Sequence, residues 1–276
     1  MPKPMMSGED IESETRLKDS LSKIRHVIIV MSGKGGVGKS TVSSNLAMAL
    51  SLKGCQTGLM DIDITGPSIP KMFRIEDEKL DKITEDNKLI PIIVSPTLKI
   101  MSMGFLLPER DSAVIWRGPM KASAIRQFIE DVEWGGLDYL IIDMPPGTGD
   151  EALSIVQLIP RADGTVIVTT PQDVALLDCR KSVTFARQTK LPVLGMVENM
   201  SGFICPHCGE QTEIFGSGGG EKTAKELNIR FLGRVPFEPG VVRSGDSGMP
   251  IVESEPNSRS AAAFGAIADA LIEAVK

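Results

Sequence analysis

Several sets of residues in this chain have the types and spacing to do chemistry. The richest is Gly33-Lys34-Gly35-Gly36-Val37-Gly38-Lys39-Ser40-Thr41, which fits G-x-x-x-x-G-K-[ST]. Glycines at 33, 35, 36 and 38 let the backbone turn its N–H groups inward around phosphate oxygens. A helix starting at this point aims its positive dipole end at the same anion. Lys39 has the reach for β- and γ-phosphates, and the Ser40 hydroxyl is placed to ligate Mg²⁺. Asp143 closes the apolar run Tyr139-Leu140-Ile141-Ile142, and a carboxylate at such a strand end can hold Mg²⁺ beside Ser40. A turn or cap aspartate is the alternative there. Asp61 and Asp63 end a second strand; either could orient or deprotonate an attacking water, and both could be solvated loop carboxylates. Asp63, further out along the strand, is the first choice, and with Ser40 and Asp143 it completes a candidate Mg²⁺ set.

Cys205-Pro206-His207-Cys208-Gly209 is the second chemical signal. Proline stiffens the turn, and glycine permits the positive φ that turns both sulfurs toward one metal. One such pair supplies two thiolates, whereas tetrahedral zinc and a [4Fe–4S] cluster each want four ligands. Cys55 sits between a helix and a strand and Cys179 on an expected helix, where each reads as a small buried residue. The simplest completion is a two-fold dimer in which each chain gives one pair. A dimeric zinc knuckle satisfies the same arithmetic.

The elements that must position these residues alternate. Val27-Ile28-Ile29-Val30 reads as a strand buried on both faces, because it is apolar and β-branched without interruption. Helical spacing follows from Ser40 to Lys53, with Gly54 as its stop. Strands are expected at 57–62, 89–94, 98–103, 139–142, 164–169, 193–197 and 230–235. Helices are expected at 122–132, 151–159, 173–188, 221–227 and 258–275. Such alternation predicts an α/β fold, a mostly parallel sheet flanked by helices, with ligands at the carboxyl ends of the strands. Residues 1–25 are polar and charged and are expected to form a flexible or partly helical arm, ahead of a single domain over 26–276. The cysteine pair falls in an insertion near 200–215.

Composition narrows the function classes. A net charge of −6 and a pI near 5.2 disfavour a general nucleic-acid surface. No apolar run is long enough to span a membrane, and the N-terminus lacks an apolar signal core, so a cytoplasmic protein with reduced cysteines is expected.

With these residues in hand, the chain resembles the Mrp/ApbC/Nbp-type iron–sulfur carrier ATPases. These are deviant Walker A P-loop proteins grouped with MinD, ParA and the nitrogenase iron protein. The resemblance runs from about His26 to the C-terminus. It is carried by the glycine loop, Asp61-Ile62-Asp63 with Gly66-Pro67-Ser68, and Trp116-Arg117-Gly118-Pro119. Asp138 to Asp150, Glu198-Asn199-Met200, the cysteine motif and Gly245-Asp246-Ser247-Gly248-Met249-Pro250 extend it. It implies slow ATP hydrolysis by a homodimer that assembles or transfers a bridging [4Fe–4S] cluster, held by Cys205 and Cys208, to apoproteins. It further implies that Lys34 reaches across the interface to the partner's nucleotide, as an arginine finger does. A lysine that serves its own phosphate site is the other reading of Lys34. The resemblance also implies that Asn199 reads the adenine edge while Pro236 and Phe237 pack on the base. From its residue type alone, Asn199 could be a turn residue. The loop Pro145 to Asp150 is expected to sense the γ-phosphate. Some members carry an N-terminal four-cysteine segment, and residues 1–25 contain no cysteine. A positioning ATPase of the MinD/ParA kind is the rival function, and a zinc-stabilised nucleotide-binding scaffold is another.

Overall fold

The computed structural model describes residues 15, 17, 19–64, 66–80, 83–85, 88–106, 118–159 and 161–276, with the backbone alone at 118–122. Trp116 and Arg117, which carry part of the resemblance, lie outside the described residues.

Apolar β-branched runs become the central strands. β1 (Ile24–Ser32) pairs in parallel with β5 (Leu137–Asp143) on one side and β6 (Gly164–Thr169) on the other. β2 (Thr57–Asp61), β4 (Leu98–Ser102) and β3 (Ile92–Ser95) extend one edge; β7 (Val193–Glu198) and β10 (Phe231–Arg234) extend the other. The eight strands lie in the order β10-β7-β6-β1-β5-β2-β4-β3, and only β3 runs antiparallel to its neighbour. The expected strands over 89–94 and 98–103 therefore form an edge hairpin.

The alternating side chains of β1 explain its unbroken apolar sequence. Ile28 and Val30 enter one core, with α1 (Lys39–Leu52) and the last helix, α9 (Arg259–Ala274). Val27, Ile29 and Met31 enter the other, with α3 (Gly118–Asp131) and α4 (Asp150–Leu158). Burial on both faces requires apolar residues at every position. The remaining elements are α2 (Ile69–Met72), a short 3₁₀ turn (Met103–Leu106), α5 (Asp173–Gln188), β8 (Phe203–Ile204), β9 (Gln211–Thr212), α6 (Gly219–Glu226), α7 (Pro239–Ser247) and α8 (Ile251–Ser254).

β1 starts at Ile24, and Leu17, Leu21 and Ile24 are all buried in the second core, so the end of the expected arm is part of the packed domain. Three apolar side chains at near-helical spacing are too much surface to leave in water next to an open core edge.

Candidate functional site

Sheet register gathers the chemistry at one edge. Asp61 of β2 lies beside Asp143 of β5, Asp143 beside Val30 of β1, and Asp61 beside Ser102 of β4. β1 sits where successive crossovers leave in opposite directions, the crevice in which open α/β sheets bind ligands.

The glycine loop crosses this crevice between β1 and α1. Gly38 caps α1 with φ 78°, a left-handed conformation that a side chain would strain, and a Cβ there would stand 2.2 Å from Asn199 Nδ2. A cleft of about 200 Å³ opens over the loop, lined by Lys34, Gly35, Gly36, Gly38, Lys39, Ser40, Thr41, Asp63 and Pro146 among others. Its floor is a buried polar cluster. Lys39 Nζ pairs with Asp143 Oδ2 at 2.7 Å, Ser40 Oγ donates to the same oxygen at 2.7 Å, and Ser43 Oγ donates to Oδ1 at 2.6 Å. Ser40 and Asp143 thus present hard oxygen donors at one point, a set that fits Mg²⁺.

The two aspartates of the second strand separate. Asp61 is fully buried, accepts from Ser102 Oγ at 2.9 Å, and accepts from the Asp63 N–H at 3.1 Å. Burial, then the neighbouring Asp143 carboxylate, push its pKa from 3.8 up to about 8, against the Ser102 hydrogen bond. A neutral Asp61 leaves one buried cation and one buried anion, the cheap arrangement in a low-dielectric interior. Asp63 lines the cleft, and its Oδ1 accepts the Gly66 N–H at 3.2 Å. Of the pair, Asp63 is thus the one that faces the cleft.

A second cavity of about 330 Å³ adjoins the first; Thr41, Ser68 and Met72 line both. Asn199, Pro236 and Phe237 lie in its wall, joined by Val241, Val242 and Asp246 of α7. Asn199 Nδ2 also donates to the Val37 carbonyl at 2.9 Å, so this side chain braces the phosphate loop as well as the cavity. Lys34 is half-buried at the rim of the first cleft, and its carbonyl accepts the Ser32 hydroxyl at 2.9 Å.

The cysteine motif is the tip of a two-stranded hairpin, β8–β9, between β7 and α6. Gly209 has φ 72°, and its N–H closes on the Cys205 carbonyl at 2.9 Å. Cys205 is half-buried and Cys208 exposed. The backbone N–H groups of Cys208 and His207, then the Cys208 thiol, draw the Cys205 thiol below its ordinary range, which favours the metal-binding thiolate. Burial pushes Cys179 up to about 12 and raises Cys55, so both are poor ligands. Among the described residues no cluster of three or more His, Cys, Asp or Glu side chains could hold a metal ion.

Four features escape the sequence reading. Ser43 holds the second oxygen of Asp143; it lies four residues after Lys39, on the same helical face, and that spacing was the available signal. Glu198 is fully buried and accepts from Ser201 Oγ at 2.5 Å, Gly218 N–H at 2.8 Å and the Gly220 N–H. Nothing in its sequence neighbourhood announces this. Ser102 joins Asp61 only through strand pairing, and α7 is a nine-residue segment whose only aliphatic residues are Val241 and Val242, too short a run to be seen.

The chain has relatives along nearly its whole length. Residues 23–272 match the model of a family described as NUBPL iron-transfer P-loop NTPase, within the ParA group. An iron-sulfur cluster carrier protein of Methanocaldococcus jannaschii is 50% identical over 241 residues, covering 87% of this chain and 82% of that one. The cytosolic Fe-S cluster assembly factor CFD1 of Kluyveromyces lactis is 51% identical over 241 residues, covering 84% of each. A nucleotide-binding protein of Archaeoglobus fulgidus, solved with ADP and with cobalt detected, superposes with a TM-score of 0.77. It is 41% identical and covers 88% of this chain and 94% of that one. By the match over nearly its whole length and by identities near one half, this chain belongs to the iron-transfer P-loop NTPases.

Proposed function

We propose that this chain is an ATP-hydrolysing carrier that takes up a [4Fe–4S] cluster and delivers it to apoproteins, working as a homodimer in the cytoplasm. One observation carries the reading: a single chain joins a phosphate cradle to an exposed Cys205–Cys208 turn that supplies half of a cluster's ligands. The N–H groups of Gly33 to Thr41 cradle the phosphates, and Lys39 exchanges Asp143 for the β- and γ-phosphate oxygens. Ser40, Asp143 and Asp63 would hold Mg²⁺, whose chemistry there is neutralisation of phosphate charge. Asp63 orients the attacking water and takes its proton. Lys34 of each protomer adds a cation to the phosphates bound by the other, and the Pro145–Asp150 loop orders on the γ-phosphate. The adenine stacks in the second cavity against Pro236 and Phe237, with Asn199 at its edge. Cys205 and Cys208 from two chains make the four thiolates that hold the cluster as cargo.

No helix among the described residues is long and apolar enough to cross a membrane. Phe264, Ile267 and Leu271 of α9 are spent on the core, which argues against a membrane-binding last helix of the positioning-ATPase kind.

Anaerobic reconstitution with iron and sulfide tests the reading. A brown dimer with about two irons per chain is expected, and Cys205→Ala should yield colourless protein. Equal iron incorporation by Cys205→Ala, or a colourless dimer that retains only zinc, refutes the carrier function.

A further inference from the structure

The nucleotide cavity and the cysteine hairpin share a wall. Phe237, in the wall of the second cavity, donates its N–H to the Gly202 carbonyl at 2.7 Å and accepts the Ile204 N–H at 3.0 Å. Its ring meets Phe203 at 6.0 Å and Phe215 at 6.1 Å, tilted and edge-on. Ile204 directly precedes Cys205, whose N–H is bound to the Glu210 carbonyl at 2.9 Å across the turn. The stem of the hairpin has little room to absorb movement. Gly202 sits at φ 75°, where a Cβ would stand 2.3 Å from Gln211 Nε2, and Glu198 clamps Ser201 on one side and Gly218 and Gly220 on the other. A shift of Phe237 on stacking with a base therefore passes to the hairpin tip, because packed side chains transmit displacement.

We propose that Phe203 is a positioning residue that acts through Phe237 to make the reactivity of the Cys205–Cys208 pair depend on nucleotide occupancy within one chain. This rests on the nucleotide and cluster assignments above and adds a route that does not cross the dimer interface. Phe203 is the informative residue because its ring touches Phe237 from outside the cavity. By linkage, whatever binds the cysteine pair changes nucleotide affinity by the same factor that the nucleotide changes binding at the pair.

The test uses the full chain carrying Cys55→Ala and Cys179→Ala, at a dilution where sedimentation gives one mass with and without ADP. Alkylation of Cys205 and Cys208 by iodoacetamide is timed by mass spectrometry, and ADP occupancy is measured separately by calorimetry. Saturating ADP should change the alkylation rate by about threefold or more, which is about 0.7 kcal/mol or more in activation free energy. In Phe203→Ala the rates with and without ADP should coincide. A merely structural loss would raise both rates and keep their ratio. If Phe203→Ala does not fold, Phe203→Leu, which keeps apolar bulk without the ring, is held to the same criterion. An ADP-independent rate in the parent, or an unchanged ratio in the folded variant, overturns the inference while leaving the nucleotide assignment standing. Absence of ADP binding in the parent overturns that assignment and this inference together.

Discussion

At the scale of single residues, the site is a problem of placing charge in a dry interior. Lys39, Asp143 and Asp61 are all buried, and the protein resolves the excess carboxylate by keeping a proton on Asp61. The folded state therefore holds a proton that the unfolded chain has lost. The stability contributed by Asp61 is fully present below pH 3.8 and is lost as pH rises through about 8. Asp61→Asn should flatten the fall in urea midpoint across this window; parallel pH profiles for the two proteins would show that Asp61 does not carry the proton. Ser43 offers a second check. It donates to Asp143 Oδ1, a charged and fully buried acceptor. Ser43→Ala should cost about 2 kcal/mol, seen as a lower thermal midpoint, because the oxygen loses its donor without gaining water. The Ser43 hydroxyl was within reach of sequence reasoning, since helical spacing puts 39 and 43 on one face. Ser102 was not, because only strand pairing brings it to Asp61.

At the scale of elements, β7 and the segments around it do two tasks from adjacent positions. Glu198 ties the base of the cysteine hairpin to the start of α6, and Asn199 ties the phosphate loop to the same strand end. Glu198→Ala should cost about 3 kcal/mol, since two backbone donors and a hydroxyl lose a charged acceptor. Hydrogen exchange at the Gly218 and Gly220 amides should speed up selectively; unchanged protection there would show that the hairpin base is held elsewhere. The central strands and long helices were legible because burial on two faces, or a stripe on one, leaves a periodic trace. β6 and α5 fall at their expected limits. α7, α8 and the short hairpin are too short for such a trace to stand out, and they are fixed by packing and by single hydrogen bonds. Ahead of β1, Leu17 and Leu21, two apolar residues in a polar, charged stretch, are drawn into the core.

At the scale of the whole molecule, one chain is half of the working unit we propose. Its cysteine turn offers two thiolates, and Lys34 stands half-buried at the mouth of its own cleft, where a facing chain's phosphates would meet it. Lys34→Ala should keep ADP affinity within about threefold and lower ATP turnover by about a hundredfold or more, the scale on which a supplied cation acts in phosphoryl transfer. Single-turnover assays and calorimetry separate the effects; wild-type turnover would remove the lysine from catalysis. Mixed dimers in which one chain lacks Lys34 should retain one active site.

The sequence by itself determined the phosphate loop, the strand-end carboxylates and the cysteine turn. These depend on residues close together in the chain, whose chemistry demands glycine, lysine or cysteine at fixed spacing. Their order along alternating strands and helices also determined the sheet-and-helix architecture and the edge on which they meet. Tertiary structure alone decided that Asp61 is buried against Ser102 while Asp63, the first choice by its place along the strand, stays on the cleft, and that Phe237 belongs to both the second cavity and the cysteine hairpin. Each of these is settled by burial and by contacts between distant segments, and sequence spacing carries no record of either.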